Sequence, residues 1–288
     1  MQRILRPARG LESFVRYYTT RRMRIAGAPV VHPVTARAIP MLEFNFGEPI
    51  TALYRDGTPP KKSSAVVLVG PQTCRRLDLQ LHGTFESFNI MFQPDGLSRL
   101  FAVPMRELAD EDYDGHSVLG GFISAVHRRV GECRSLEECV RIIDAFLLRR
   151  ACGAASADGI TAAANQMLLS AGQVSIVRLA DDAGVSLRQF ERRFVQRVGI
   201  RPKLFARIAR FEAALDGKAR FTTKSWSQVA QQFGYYDQMH MIHDFAEFTG
   251  ETPTQTLKQL ESVFADRLTD VRSTRRVDGS AADSRIFF

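Results

Sequence analysis

Residues 225–253 read SWSQVAQQFGYYDQMHMIHDFAEFTGETP, with His240 and His243 three apart between Asp237 and Asp244. That grouping admits a metal or catalytic cluster, or a helix that touches a partner. An internal comparison separates these readings. The order Ala230, Gly234, Phe245, Gly250, Pro253 repeats an earlier order, Ala180, Gly184, Phe194, Gly199, Pro202, about fifty residues upstream. The second copy has one extra residue between its first glycine and its phenylalanine. Each copy reads as a helix-turn-helix: a first helix (SIVRLADDA, then SWSQVAQQF), a glycine suited to the positive φ of a tight turn, and a capped second helix. Ser186 and Asp237 are the expected N-caps. Phe190 and Phe194 in one copy, Met241 and Phe245 in the other, anchor one face of each second helix. The opposite face is left for something else.

Ordinary helical hairpins share a single such pattern, but two in register are a far more specific signal. Between them RPKLFARIARFEAAL, residues 201–215, places Leu204, Phe205, Ile208, Phe211 and Leu215 on one side. It predicts a connecting helix of roughly 20 Å. Successive major-groove faces of DNA lie roughly 34 Å apart on one side of the duplex, so a strut of this kind suits two units entering adjacent grooves.

On these residues the region from about 165 to 260 resembles the DNA-binding domain of the AraC/XylS family of bacterial transcriptional regulators. SLRQFERRF with GIRP, and GYYDQMHMIHDF with GETP, carry the resemblance. Residues 1–150 resemble, less specifically, a β-rich sensor-like domain of unknown function that precedes this module in part of the family. The resemblance implies promoter binding, with the second helix of each unit in the major groove. It assigns Arg188, Glu191 and Arg192 to bases, with Gln189 at the edge, and in the second unit Gln238, Met239, His240 and His243. Their chemistry agrees: arginine pairs with guanine, glutamate accepts from cytosine, glutamine suits adenine. The two histidines supply only two of the ligands a metal needs, which leaves DNA contact or plain exposed surface as the other readings. Met239 and Ile242 are apolar where the family often has polar residues, which fits thymine-methyl contact, packing inside the domain, or a weaker reader.

Charge divides the region. Residues 176–224 carry twelve Lys/Arg against five Asp/Glu, whereas 225–262 carry only Lys258 against five acids. Phosphate attraction is therefore expected from the first unit and the strut, through Arg193, Arg197, Arg201, Lys203, Arg207 and Arg210. The acidic second unit keeps open a protein-interaction adaptor that retains the fold.

Working outward, residues 29–93 alternate short β-favouring runs with turn residues, as in MLEFNF, ITALYR, AVVLVG and FESFNIMF. From Pro94 on, apolar residues recur at helical intervals, and Ser135 with Glu138 forms an S-x-x-E cap. The expected architecture is α+β: a β-rich cupin-like barrel with trailing helices over 1–152, a linker at 153–159, an all-α DNA-binding domain over 160–262, and a disordered tail at 263–288. Helices 117–131 and 135–152 are where the family resemblance places a homodimer contact. RNA polymerase and a small-molecule effector are the further partners it implies.

The 288 residues carry a net charge of +8, which favours a polyanionic partner. No apolar run approaches the ~18 residues of a membrane span, and the amino terminus lacks the apolar core of a secretory signal, so the expected location is the cytoplasm. An enzyme on the barrel is the rival from another class, but His82 and Glu86 are its only trace of a cupin metal set. No catalytic residues, metal site or cofactor are expected. Cys74, Cys133, Cys139 and Cys152 form no CxxC pair and read as reduced structural thiols. A redox role for Cys133, Cys139 or Cys152 depends on surroundings that only a fold supplies.

Overall fold

A computed structural model describes residues 2–263; the expected tail beyond them lies outside the described residues. The chain runs β1 (Gln2–Leu5), β2 (Val15–Pro33), β3 (Met41–Gly47), β4 (Thr51–Tyr54), β5 (Lys61–Lys62), β6 (Val66–Val69) and β7 (Leu77–Phe92). Then come α1 (Gly96–Phe101), α2 (Met105–Leu108), β8 (Asp112–Asp114), α3 (Gly115–Leu119), α4 (Phe122–Gly131) and α5 (Leu136–Ala151). The second half is helical: α6 (Gly159–Leu169), α7 (Ile176–Asp182), α8 (Leu187–Val198), α9 (Pro202–Arg220), α10 (Trp226–Gln232), α11 (Gln238–Thr249) and α12 (Pro253–Val263). This is the expected α+β division.

The strands form one antiparallel sheet in the order β1-β2-β7-β3-β6-β8, with β4 bonded to β5 and β7. Among the described residues the end strands β1 and β8 make no ladder with each other, so the sheet curls without the hydrogen-bonded closure of a barrel. Sequence periodicity misses β1 and the Arg-rich first half of β2, and it breaks β7 at His82–Thr84. Glycine explains the last point. Gly83 takes a φ of 63° inside the strand while still facing Ile25 across the ladder, so the turn signal in HGT is spent on a kink.

Alternation along the strands gives the sheet two faces. Tyr18, Leu42, Phe44, Phe88, Ile90 and Phe92 point into a core closed by α1, α4 and α5, through Leu97, Ile123, Ile143 and Leu147. The alternate residues of the same strands, Thr19, Arg21, Met41, Glu43, Asn89 and Met91, line a cavity on the other face. The phenylalanines of these strands are therefore core, and the cavity wall is mostly polar and aliphatic.

The helical half packs on the cavity side of the sheet. Its core joins Phe190, Phe194, Phe205, Phe211, Phe245 and Phe248 to Tyr17, Ala36, Ala38, Ile39 and Met91 of the β half. The two halves thus share one hydrophobic cluster across the boundary at 153–159.

Candidate nucleic-acid interface

Both helix-turn-helix units are built from the same local devices. Ser175 and Ser225 cap the first helices, accepting from Arg178 N and Gln228 N. Gly184 and Gly234 make the turns at φ of 66° and 70°. Ser186 and Asp237 cap the second helices as expected, accepting from Gln189 N and His240 N. The strut α9 is longer than the sequence predicted, since it continues to Arg220. Its 19 residues span about 28 Å at 1.5 Å each.

In α8 the buried residues Phe190, Phe194 and Val198 recur at four-residue steps. The opposite stripe, Arg188, Glu191, Arg192, Val195 and Gln196, lines an open groove of about 1140 Å³. Arg188, Glu191, Arg192 and Arg193 are all exposed. Gln189 is exposed too, but its side-chain oxygen accepts from Ser186 N at 3.2 Å, which ties it to the cap. Arg106, on α2 of the β half, also lines the groove. Sequence reading misses Arg106, because nothing in its local context distinguishes it from any surface arginine; the packing of α8 against α1 and α2 brings it there.

In α11 the buried set is Met241, Asp244, Phe245, Phe248 and Thr249, and Gln238, Met239, His240 and His243 are exposed. Gln238 accepts from Ser227 Oγ at 2.5 Å, and the His240 ring stands edge-on to Tyr235 with centroids 5.7 Å apart. Met239 keeps 57% of its surface and Tyr236, just before the helix, keeps 93%. These are two large side chains exposed side by side at the head of α11. Ile242 is half-buried and leans toward the domain interior.

Two expected phosphate contacts have other partners. Arg197 bonds Asp95 at 2.8 Å and Asp158 at 3.3 Å, tying the end of α8 to the β half and the linker. Arg207 bonds Asp244 at 2.7 Å and Glu247 at 2.5 Å, tying the strut to α11. These bonds, Glu247 first, hold its guanidinium well above the usual arginine range. Both corrections have one physical cause: Asp95 and Asp244 are 1% exposed, and a buried carboxylate demands a cation. Arg210 also turns inward, with its guanidinium 5.4 Å from the Tyr235 ring centroid and bonded to Gly172 O. Arg193, Arg201 and Lys203 remain exposed.

Four acids of the second unit have partners inside the molecule. Asp237 caps α11, Asp244 and Glu247 hold Arg207, and Glu251 lies 3.7 Å from Arg75 of the β half. Asp244, Glu247 and Glu251 therefore have arginine partners within the molecule. Among the described residues no three His, Cys, Asp or Glu side chains gather as a metal site, so His240 and His243 lack a third ligand. His82 is exposed and Glu86 pairs with Arg22 at 3.5 Å. No helix of the described residues is long and apolar enough to cross a membrane.

The sheet cavity measures about 150 Å³ and is bounded by Arg21, Arg37, Glu43 and Asn89, with Leu260 of α12 contributing from the helical half. Burial pushes both guanidiniums down and the Glu43 carboxyl up, each opposed by its oppositely charged neighbours. Arg37 Nε and Asn89 Oδ1 are buried without a hydrogen-bond partner among the described residues. From the strut, Glu212 accepts Ala38 N–H at 3.2 Å and faces Arg37.

Comparison with known proteins agrees with this layout. A helix-turn-helix domain family matches residues 179–259, and a domain of unknown function (DUF6597) matches residues 3–114. No curated protein matches the chain by sequence. Among solved structures, ToxT from Vibrio cholerae O395 is similar at 9% identity and a TM-score of 0.47, over 84% of this chain and 98% of that one. ToxT bound to (E)-4-(8-methylnaphthalen-1-yl)but-3-enoic acid is similar at 10% identity and a TM-score of 0.49, over 84% and 99%. Wild-type ToxT of strain SCE256 with an unsaturated fatty acid gives 10% and 0.45, over 84% and 95%. The two family matches place a helix-turn-helix domain over residues 179–259 behind a DUF6597 domain over residues 3–114, the order of domains that the sequence resemblance implies.

Proposed function

We propose that this chain is a cytoplasmic, one-component transcriptional regulator that reads promoter DNA through two helix-turn-helix units in adjacent major grooves. One observation carries the reading: two units with matching caps and turns each present an exposed polar stripe, held apart by a strut of about 28 Å. In the first unit Arg188, Glu191 and Arg192 address bases, while Arg193, Arg201, Lys203 and Arg106 address phosphates. The second unit adds few phosphate contacts and reads through Gln238, Met239, His240 and His243. Its partners are double-stranded promoter DNA, RNA polymerase and a second copy of the chain.

Random-site selection with the full-length protein, followed by footprinting on the selected site, tests this. The expected result is two protected major-groove segments about one helical turn apart and binding that weakens steeply with salt. A folded protein with no sequence preference sinks the reading, and protection of one groove alone removes α11 from it.

The cavity supports the sensing role of the amino-terminal half. Its volume, about 150 Å³, is that of a small organic molecule, and its buried orphan polar atoms call for a polar ligand. Because Leu260 lines it from the helical half and Arg37 of its wall faces Glu212 of the strut, an effector there touches the DNA-binding domain directly. Ala52→Trp, which fills the cavity from β4, is expected to abolish the response of DNA affinity to effector while leaving basal DNA binding in place. An undiminished response in that variant places the effector elsewhere.

A further inference from the structure

The turn between α4 and α5 brings two sulfurs together. Cys133 lies in that turn and Cys139 in the first turn of α5. The Cys133 thiol donates to Arg129 O at 3.3 Å and the Cys139 thiol donates toward Val130 O at 3.7 Å, adjacent carbonyls at the end of α4. Two thiols held on neighbouring carbonyls of one helix end lie on the same side of the turn. Both residues are half-buried, whereas Cys152 is exposed. Spacing alone singles out no pair among the cysteines, since Cys133 and Cys139 stand six apart across a helix boundary; the turn sets both against the end of α4.

We propose that Cys133 and Cys139 form a reversible redox site whose oxidant is a peroxide and whose product is an intramolecular disulfide closing the α4–α5 turn. The site is independent of the DNA-reading assignment.

The environment divides the labour between the sulfurs. Burial first, then the neighbouring Cys133, pushes the Cys139 thiol up to about 12, so Cys139 keeps its proton on the Val130 carbonyl. Cys133 is the sulfur that reacts first. Its thiolate attacks one peroxide oxygen, the O–O bond breaks, and the departing hydroxide takes a proton to leave as water. The resulting Cys133 sulfenic acid carries an electrophilic sulfur beside the Cys139 thiol. The Cys139 sulfur then attacks Cys133 Sγ, the S–O bond breaks, and the leaving hydroxide carries away the Cys139 proton as a second water. Two thiols are oxidised by two electrons and one peroxide is reduced to two waters. Bonding requires the sulfurs to close to about 2.05 Å, a movement the short turn between two helices absorbs.

The test uses the reduced full-length protein, treated with increasing hydrogen peroxide, alkylated and digested with trypsin. The expected product joins Val130–Arg134 to Ser135–Arg141 with the loss of two hydrogens, and dithiothreitol restores the separate peptides. In Cys139→Ser, Cys133 accumulates as a sulfenic acid trapped by dimedone. In Cys133→Ser, Cys139 stays alkylatable at the same peroxide dose. Recovery of both wild-type thiols as alkylated peptides at a dose that oxidises Cys152, or disulfides formed only between chains through Cys152, overturns the proposal.

Discussion

Arg192 stands exposed on the groove side of α8, while Arg207 on α9 is 28% exposed and held by Asp244 and Glu247. The two arginines answer to different measurements. Arg192→Ala is expected to cost about 1–3 kcal/mol of binding and to relax preference at a single base position, as loss of a bidentate base contact does. A uniform loss across all sequences would remove Arg192 from the base readers. Arg207→Ala leaves the carboxylate of Asp244 buried without its cation, which costs about 3–5 kcal/mol of stability. Denaturant unfolding of the full-length variant is the check, and an unchanged midpoint would return Arg207 to the phosphate set. In sequence the two look alike, since each is a basic residue in a basic stretch. Only Asp244, on another helix, separates them.

At the scale of elements, the units themselves were legible because their code is short-range. A cap bonds three residues ahead, a turn glycine acts on its own φ, and Phe190, Phe194 and Val198 mark one helical face by spacing alone. The groove was not legible. Arg106 comes from α2, and α8 meets α2 so closely that a Cβ at Gly199 would lie 2.6 Å from Met105 O. As a phosphate contact, Arg106→Ala is expected to weaken binding alike for every sequence and to reduce the slope of log affinity against log salt by about one. Titrating salt against one selected and one random duplex decides it. An unchanged slope on both would leave Arg106 as a bystander on the groove wall.

At the scale of the whole molecule, Glu212 joins the strut to the β half through Ala38 N and Arg37. Burial pushes its carboxyl up to about 8, against the pull of the Ala38 N–H and Arg37. Between the ordinary carboxylate range and pH 8 the folded chain therefore holds a proton that the unfolded chain has lost. Stability falls as pH rises through that window and levels off above it. Melting temperatures from about pH 5 to 8.5 are expected to decline in the wild type, with a shallower slope in Glu212→Gln, which keeps the shape without the titration. Equal slopes in both would mean that Glu212 is not buried against the β half in solution. The sequence by itself determined the two helix-turn-helix units, the strut between them and the β-then-α order, because each rests on residues within a turn or two of one another. Only the tertiary structure decided which arginines are free, which strand face encloses a cavity, where the thiols of Cys133 and Cys139 lie and which arginines Asp244, Glu247 and Glu251 pair with. Except for the cysteine pair, those outcomes depend on contacts between separate elements, many of them across the domain boundary. Even the cysteines needed the angle of a turn, and Coulomb and packing forces act on distance in space, which spacing along the chain does not encode.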